Sequence, residues 1–500
     1  MRRSRLGTII AALAAGFATA GAAKADNATP ATDQAWRTLT RIDVEAAYQF
    51  LKTSHPGMVP EARDPVFVSA LVVGHKRALE RADAVTSYEG YVATLGEFAR
   101  SLGDGHIWSN ARFVPRTVRW AGIIATKRGH DWIVALGDAE VAGADLIGAK
   151  IVSCDGEPTE ALARDVLHYR TVVDVDALET EYGNWLLVDE GNPFLQQPKT
   201  CVFDQGGKHT TLTLRWNSID RSDLIAHHWY QPFGDARFDV RQSGQGYWIG
   251  VENLTADAQK VIDQVRARAT EIRAAPYVVV DVRGNGGGQD RYGRALAEAI
   301  YGTPYVEARL GPGDAANGSC DEVYRATADN IRSVSAAGDE HAKAGDEAAA
   351  AGYARAVTAM KAALATGHAL TGPAMCKSKA RSIAVRRASL MPGTVYLLTD
   401  GACFSSCLVA TEIFTKLGAT QIGQTTGADT HYSEVYQTNL PSGLATFTTL
   451  RAILPGEPRM IGPYVPAIPY GGDVADTAAL EKWVAGLSRQ GTATAHAATE

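Results

Sequence analysis

Apolar residues recur along this chain with two different periods, and the changes of period divide it. Val44, Ala47, Tyr48 and Leu51 fall on one helical face behind Asp43, which reads as a cap, and Pro56 ends the run. A second helical pattern covers residues 65–82. A third places Tyr88, Val92, Leu95, Ala99 and Leu102 on one face and ends in Ser101-Leu-Gly-Asp-Gly-His106, so that Gly103 and Gly105 deliver His106 on a loop just beyond a helix end. From about residue 118 the period falls to two. Residues 119–126 and 132–136 read as strands, and residues 144–158 as a strand running into an Asp155-Gly156 turn with a helix from about Thr159. Residues 246–305 then alternate the two patterns. A strand over 247–253 precedes a helix capped by Thr255, with Val261, Val265 and Ile272 on one face; a strand over 277–283 precedes a helix over about 292–299. That order predicts an α/β unit with a parallel sheet.

The pattern resumes most sharply at residues 395–414. Four β-prone apolar residues, Val395 to Leu398, follow Pro392-Gly393 and read as a strand buried on both faces. A polar turn comes next, and then a helix with Val409, Ile413 and Leu417 on one stripe, closed by Gly418. Ser405 and Ser406 stand where strand hands over to helix, where backbone N–H groups are unpaired and the helix dipole favours negative charge. A hydroxyl there serves either as an N-cap or as a nucleophile whose oxyanion its neighbour's N–H stabilises. Between these α/β segments, residues 308–385 carry an Ala-rich, charged helical stretch (339–365) flanked by Cys320 and Cys376, read as an inserted cap or lid. A capped helix over 476–487 closes the chain, and residues 491–500 read as a disordered tail.

Composition changes the picture at the N-terminus. Arg2, Arg3 and Arg5 precede an apolar run to about Ala20, and Ala23-Lys24-Ala25 offers small residues at a cleavage site, so residues 1–25 read as a secretory signal. Loss of its four basic residues, with no acid among them, takes the formal net charge from −6 to −10. That balance argues against nucleic acid or an anionic membrane surface as partner. No other stretch is long and apolar enough for stable membrane insertion. The expectation is a periplasmic or secreted protein. Six cysteines in an exported chain favour disulfides, and proximity suggests Cys154–Cys201, Cys320–Cys376 and Cys403–Cys407. Neither paired Cys-x-x-Cys sites nor His-Glu-x-x-His occur, which makes a zinc site a weak reading, and chemistry at a serine hydroxyl needs no metal and no organic cofactor.

Directly after the strand at 277–283 stands Gly284-Asn-Gly-Gly-Gly288. A dinucleotide fingerprint needs different glycine spacing and a downstream acid, and a phosphate loop needs a Lys that is absent here. A third reading is an oxyanion hole, since glycines let backbone N–H groups face a developing alkoxide without a Cβ in the way; a tight strand-to-helix turn by itself accounts for one or two of these glycines. Val279-Val-Asp-Val-Arg-Gly-Asn-Gly-Gly-Gly288, followed by a strand, a turn, Ser405 and a helix, resembles the C-terminal processing peptidase (tail-specific protease) family, with its tricorn-core and interphotoreceptor retinoid-binding protein-like branch. The resemblance implies a ClpP/crotonase-type α/β core at 221–490, an N-terminal helical region at 26–112, a PDZ-like β-rich module at 113–220 and the helical cap at 308–385.

Carried over by motif, Ser405 resembles the nucleophile, and the N–H groups of Ser406 and Gly287 the oxyanion hole. Many members use a lysine about 25 residues after the serine, but position 430 here is Thr, and Lys416 lies three turns along the serine's own helix. Asp104-Gly-His106 resembles the histidine motif of the tricorn-like branch, which makes His106 the expected base, with His431 as competitor. Asp429 is the expected orienting acid, with Asp104, Glu457 and Asp473 as alternatives. The function implied is an exported serine peptidase cleaving peptide or protein substrates. A non-catalytic peptide- or ligand-binding member and an esterase-type serine hydrolase are the competing readings.

Overall fold

A computed structural model describes residues 30–62, 64–170, 179–180, 182–231, 233, 237–311, 322–372 and 388–497, with side chains to residue 489. The expected signal segment and the Cys320–Cys376 pair lie outside the described residues. The centre of the fold is a six-stranded sheet in the order Asp239–Ser243, Gly246–Gly250, Tyr277–Asp281, Thr394–Thr399, Thr420–Gly423 and Ile468–Pro469. The first pair is antiparallel and every later pair parallel. Its strands are continuous apolar runs because both faces are covered. Val278, Val280 and Leu397 point to the helices Ala256–Ala267, Asp290–Tyr301 and Ser406–Lys416. Tyr277, Val279, Tyr396 and Leu398 point the other way, against Leu480 and Val484 of the C-terminal helix.

Tyr277–Asp281 and Thr394–Thr399 are neighbours in register, Val279 opposite Tyr396. The glycine loop and the Ser405 turn therefore leave adjacent strands at the same carboxyl edge, where open α/β sheets place their ligands. A second, four-stranded sheet joins Ser109–Ala111, Ala445–Ile453, Val323–Tyr324 and Tyr432–Asn439. The N-terminal helices Asp33–Ser54, Pro65–Ala82 and Tyr88–Arg100 pack on it through Leu95, Phe98, Phe447 and Leu450. A third, antiparallel sheet of six strands spans Ile123–Arg128 to Lys208–Thr213 with the helix Thr159–Leu167 against it, and the Cys154–Cys201 disulfide joins two register partners on its neighbouring strands. Among the described residues no helix is long and apolar enough to cross a membrane.

Four local expectations need correction. Asp43 is not a cap. It lies inside a helix begun at Asp33 behind Thr32, buried, and accepts from the Tyr91 hydroxyl at 2.7 Å and from the Ser442 N–H at 3.0 Å. The strand expected over 119–126 is two strands, because its halves change partner: Thr117–Trp120 pairs with Asn217–Asp220, and Ile123–Arg128 with Asp131–Gly137. The Ala-rich stretch is a hairpin of two helices, Ala328–Lys343 and Glu347–Ala365, which turns at Gly345. The last helix runs from Thr477 to Ala497 rather than yielding to an irregular tail at 491, as its alanine content favours.

Candidate active site

Ser405 is the N-cap of Ser406–Lys416 but caps nothing with its side chain, and it sits at φ 56°, ψ −129°. A non-glycine residue there costs about 1–3 kcal/mol, and such strain is kept where the surroundings force it. Here they do. The Cys403–Cys407 disulfide ties the turn to the first turn of the helix. Asp400, fully buried at the end of the strand, accepts from Ala402 N–H at 3.1 Å and from Gly284 N–H at 2.9 Å, joining the serine turn to the glycine loop. Burial pushes its carboxyl up to about 8, against the pull of those two N–H groups and of Arg283.

Each residue of the glycine motif has a distinct task. Arg283, wholly buried, grips Asp281 through Nε at 2.8 Å and Nη2 at 2.6 Å and also reaches the Val474 carbonyl, while Asp281 accepts from Trp248 Nε1 at 2.9 Å. Arg283 Nη2 also reaches Thr477 Oγ1 at 3.1 Å, so this half of the motif fastens the strand end to the start of the C-terminal helix. Asn285 donates to the Val251 carbonyl at 2.8 Å and accepts from Gly287 N–H at 2.9 Å, and its own carbonyl accepts from Phe404 N–H at 3.3 Å. Gly287 has φ 105°, and a Cβ there would stand 2.8 Å from Ser405 Cβ and 3.0 Å from Ser406 N, so only glycine lets the loop close on the serine. Ser406 hydroxyl donates to Gly288 O at 2.8 Å, whereas its N–H has no acceptor among the described residues.

His106 arrives from another part of the chain. The strand Ser109–Ala111 pairs with Ala445–Ile453, Trp108 N–H donates to Thr448 Oγ1 at 2.7 Å, and Thr448 Oγ1 donates to His106 O at 2.9 Å. The ring rests 4.8 Å, centroid to centroid, from that of Phe404, the residue before Ser405. Gly105 permits this contact, since a Cβ there would meet the Phe404 ring at 2.5 Å. Nδ1 of His106 lies 3.1 Å from Asp429 Oδ1, across 323 residues of sequence. Asp429 is held by the two-residue strand Asp429–Thr430 against Met460–Ile461, and Gly427 N–H binds the Cys403 carbonyl at 3.0 Å. Burial disfavours the imidazolium, but Asp429, by charge and hydrogen bond, and Asp104, by charge, outweigh it and raise the ring's pKa above 6.5. Neither His106 Nε2 nor the Ser405 hydroxyl has a hydrogen-bond partner among the described residues.

Residues 248–461 match the family model for peptidase family S41. Over that span, 214 of the 500 residues, the chain is similar to peptidase family S41, and by class it is a serine-type peptidase, a hydrolase. Its fold is similar to that of mature CPAF, at 11% identity over 91% of this chain and 98% of that one, with a TM-score of 0.57. A complex of mature CPAF with lactacystin gives 11% identity, 91% and 99% coverage and a TM-score of 0.56. No curated protein matches the chain.

The other sequence candidates lie elsewhere. His431 faces the Glu457 carbonyl at 3.4 Å and the Tyr432 ring, and burial lowers its pKa. Asp473 is bound to Arg128 and to the Tyr230 hydroxyl, each at 2.7 Å. Lys416 pairs with Glu412 on its own helix. Asp104, His106 and Asp429 bring ligand atoms within 4.8 Å of one another. That donor set suits a metal, yet Asp104 spends both oxygens on N–H and O–H donors, so the trio is organised as a hydrogen-bond network. Sequence reasoning missed Asp400, read only as part of a turn. Its signal, an acid one residue past an apolar strand and facing a glycine loop, needs the strand pairing before it can be seen.

Proposed function

We propose that this chain is an exported serine peptidase that cleaves peptide bonds through Ser405 and His106, oriented by Asp429. The observation that carries the reading is the His106–Asp429 contact beside Phe404, at 3.1 Å, with Nε2 left over for the serine. Asp429 fixes the tautomer with the proton on Nδ1, so Nε2 takes the Ser405 proton as Oγ attacks the peptide carbonyl. The same nitrogen then protonates the leaving amine, and water releases the acyl-enzyme. Ser406 N–H, which has no other acceptor among the described residues, holds the tetrahedral oxyanion. Gly287 N–H assists only by sharing its bond to Asn285, so Ser406 is the stronger donor of the two. Export is supported by the N-terminal apolar run and by the two disulfides described. The antiparallel sheet within 113–220 is read as a PDZ-like module that takes an extended chain end along an edge strand.

Ser405→Ala and His106→Ala are each expected to abolish peptide turnover and labelling by a serine-directed phosphonate. Full labelling of the Ser405→Ala protein would remove the assignment. The commitment of Gly287 N–H to Asn285 favours a second reading, a member that binds peptides without cutting them. Retained peptide binding with no turnover by the unaltered protein, even at high concentration, would select it.

A further inference from the structure

We propose that Asp104 is a positioning residue of this site: its carboxylate locks the His106 loop to the Asp429 strand and sets a second negative charge within 4.8 Å of the imidazole. The inference rests on the reading of His106 as the base. Four hydrogen bonds close a ring. His106 N–H donates to Asp104 Oδ1 at 2.7 Å, and Thr430 hydroxyl to Asp104 Oδ2 at 2.5 Å. Thr430 N–H donates to Asp429 Oδ1 at 2.7 Å, and that same oxygen meets His106 Nδ1 at 3.1 Å. Tyr432 N–H adds a bond to the Thr430 hydroxyl at 3.2 Å. The ring spans two segments more than 320 residues apart, and both its carboxylates are buried, Asp104 at 1% exposure and Asp429 at 6%.

An aspartate that accepts the N–H two residues on is often no more than a turn former. Two features exceed that role here. The second oxygen is spent across the interface, on the residue beside the orienting acid. And a turn needs only an acceptor, not a buried charge, which is costly unless something uses it. The imidazolium formed in the reaction would use it. The groups facing Asp104 are His106 on its own loop and Asp429, Thr430 and Tyr432 from the opposite segment, and among these only His106 becomes positive. Burial and the charge of Asp429 push the Asp104 carboxyl up to about 6, with His106 and the Thr430 hydroxyl pulling against them. The second charge is thus present above about pH 6 and withdrawn on acidification.

The test uses Asp104→Asn, which keeps an acceptor for His106 N–H and removes the charge, with Asp104→Ser as an independent neutral variant. Diethyl pyrocarbonate acylates only neutral imidazole, so the pH dependence of modification at His106, located by peptide mass, reads its pKa without needing turnover. Both variants are expected to lower that pKa by roughly 1 unit. The acid limb of kcat/KM should move down with it, kcat falling and KM unchanged. An unshifted labelling profile in a folded variant overturns the proposal. So does a His106 pKa at or below 6.5 in the unaltered protein, an arm that holds even if neither variant folds. A shifted labelling profile in a chain that cleaves nothing keeps this inference and removes the peptidase reading instead.

Discussion

The two halves of the site are held in place by different means. The Ser405 half is made from two adjacent strands of one sheet, and its parts are fastened to the core: Asp281 through Arg283 to the start of the C-terminal helix, Asp400 between two loops, Cys403 to Cys407. The His106 half is made where a loop from the N-terminal helices meets a two-residue strand, and it is held by hydrogen bonds between polar side chains and backbone. The first is part of the folding core, with Arg283 and Asp400 wholly buried. The second is assembled on it. Damage to the first should therefore appear as lost stability, and damage to the second as lost rate in a folded protein.

The largest effect expected on this contrast comes from Asp429→Asn. It should lower kcat on the order of 10³–10⁴-fold, because the amide no longer fixes the Nδ1–H tautomer or stabilises the imidazolium. Stability should change by less than about 1 kcal/mol, since Oδ1 remains to accept Thr430 N–H. Steady-state kinetics beside urea unfolding separates the two quantities. A large stability loss would place Asp429 with the core half. Arg283→Ala should show the reverse. It leaves Asp281 charged and buried with Trp248 Nε1 and a backbone N–H as its remaining partners, and breaking a buried pair costs about 3–5 kcal/mol. At temperatures where the variant stays folded, its kcat should fall far less than that of Asp429→Asn.

The same contrast decides what could be read in the sequence. Strand 277–281, the glycines and the Ser405 turn were legible because each is a local pattern: a doubly buried apolar run, a tight turn, a helix start. The buried stripe of the serine's helix was only half legible. Leu408, Phe414 and Leu417 form it, while Val409 and Ile413 sit at its margin. The His106–Asp429 pair has no local signature, since 323 residues separate its members, and it was reached through resemblance and motif position. Asp43 was misread for a related reason. An acid ahead of an apolar run usually caps it, and only the tertiary donors Tyr91 and Ser442 explain one placed mid-helix. Asp104 and Asp400 share this blindness, because their partners are mostly backbone N–H groups whose positions no residue type encodes.

A smaller effect per pH unit tests whether the core half also carries a pH dependence of its own. Asp400 has a folded pKa of about 8 against an ordinary 3.8. Its folded pKa is raised, so its contribution to stability is fully present below about pH 4 and is lost as pH rises towards 8. Between those limits the native state holds a proton that the unfolded chain has released, for a slope of at most about 1.4 kcal/mol per pH unit. Asp400→Asn is neutral at every pH. It should begin with an offset, since an amide accepts only one of the Gly284 and Ala402 N–H bonds well, and then lack the slope. The measurement is the difference in unfolding free energy between the two proteins at pH 5, 6, 7 and 8, which cancels titration elsewhere in the chain. A difference that shrinks as pH rises fits a protonated Asp400 bridging the glycine loop and the serine turn. A constant difference means that Asp400 is ionised throughout and that its charge is already stabilised by those two N–H groups and Arg283. The core half would then be locked by charge rather than by a neutral acid.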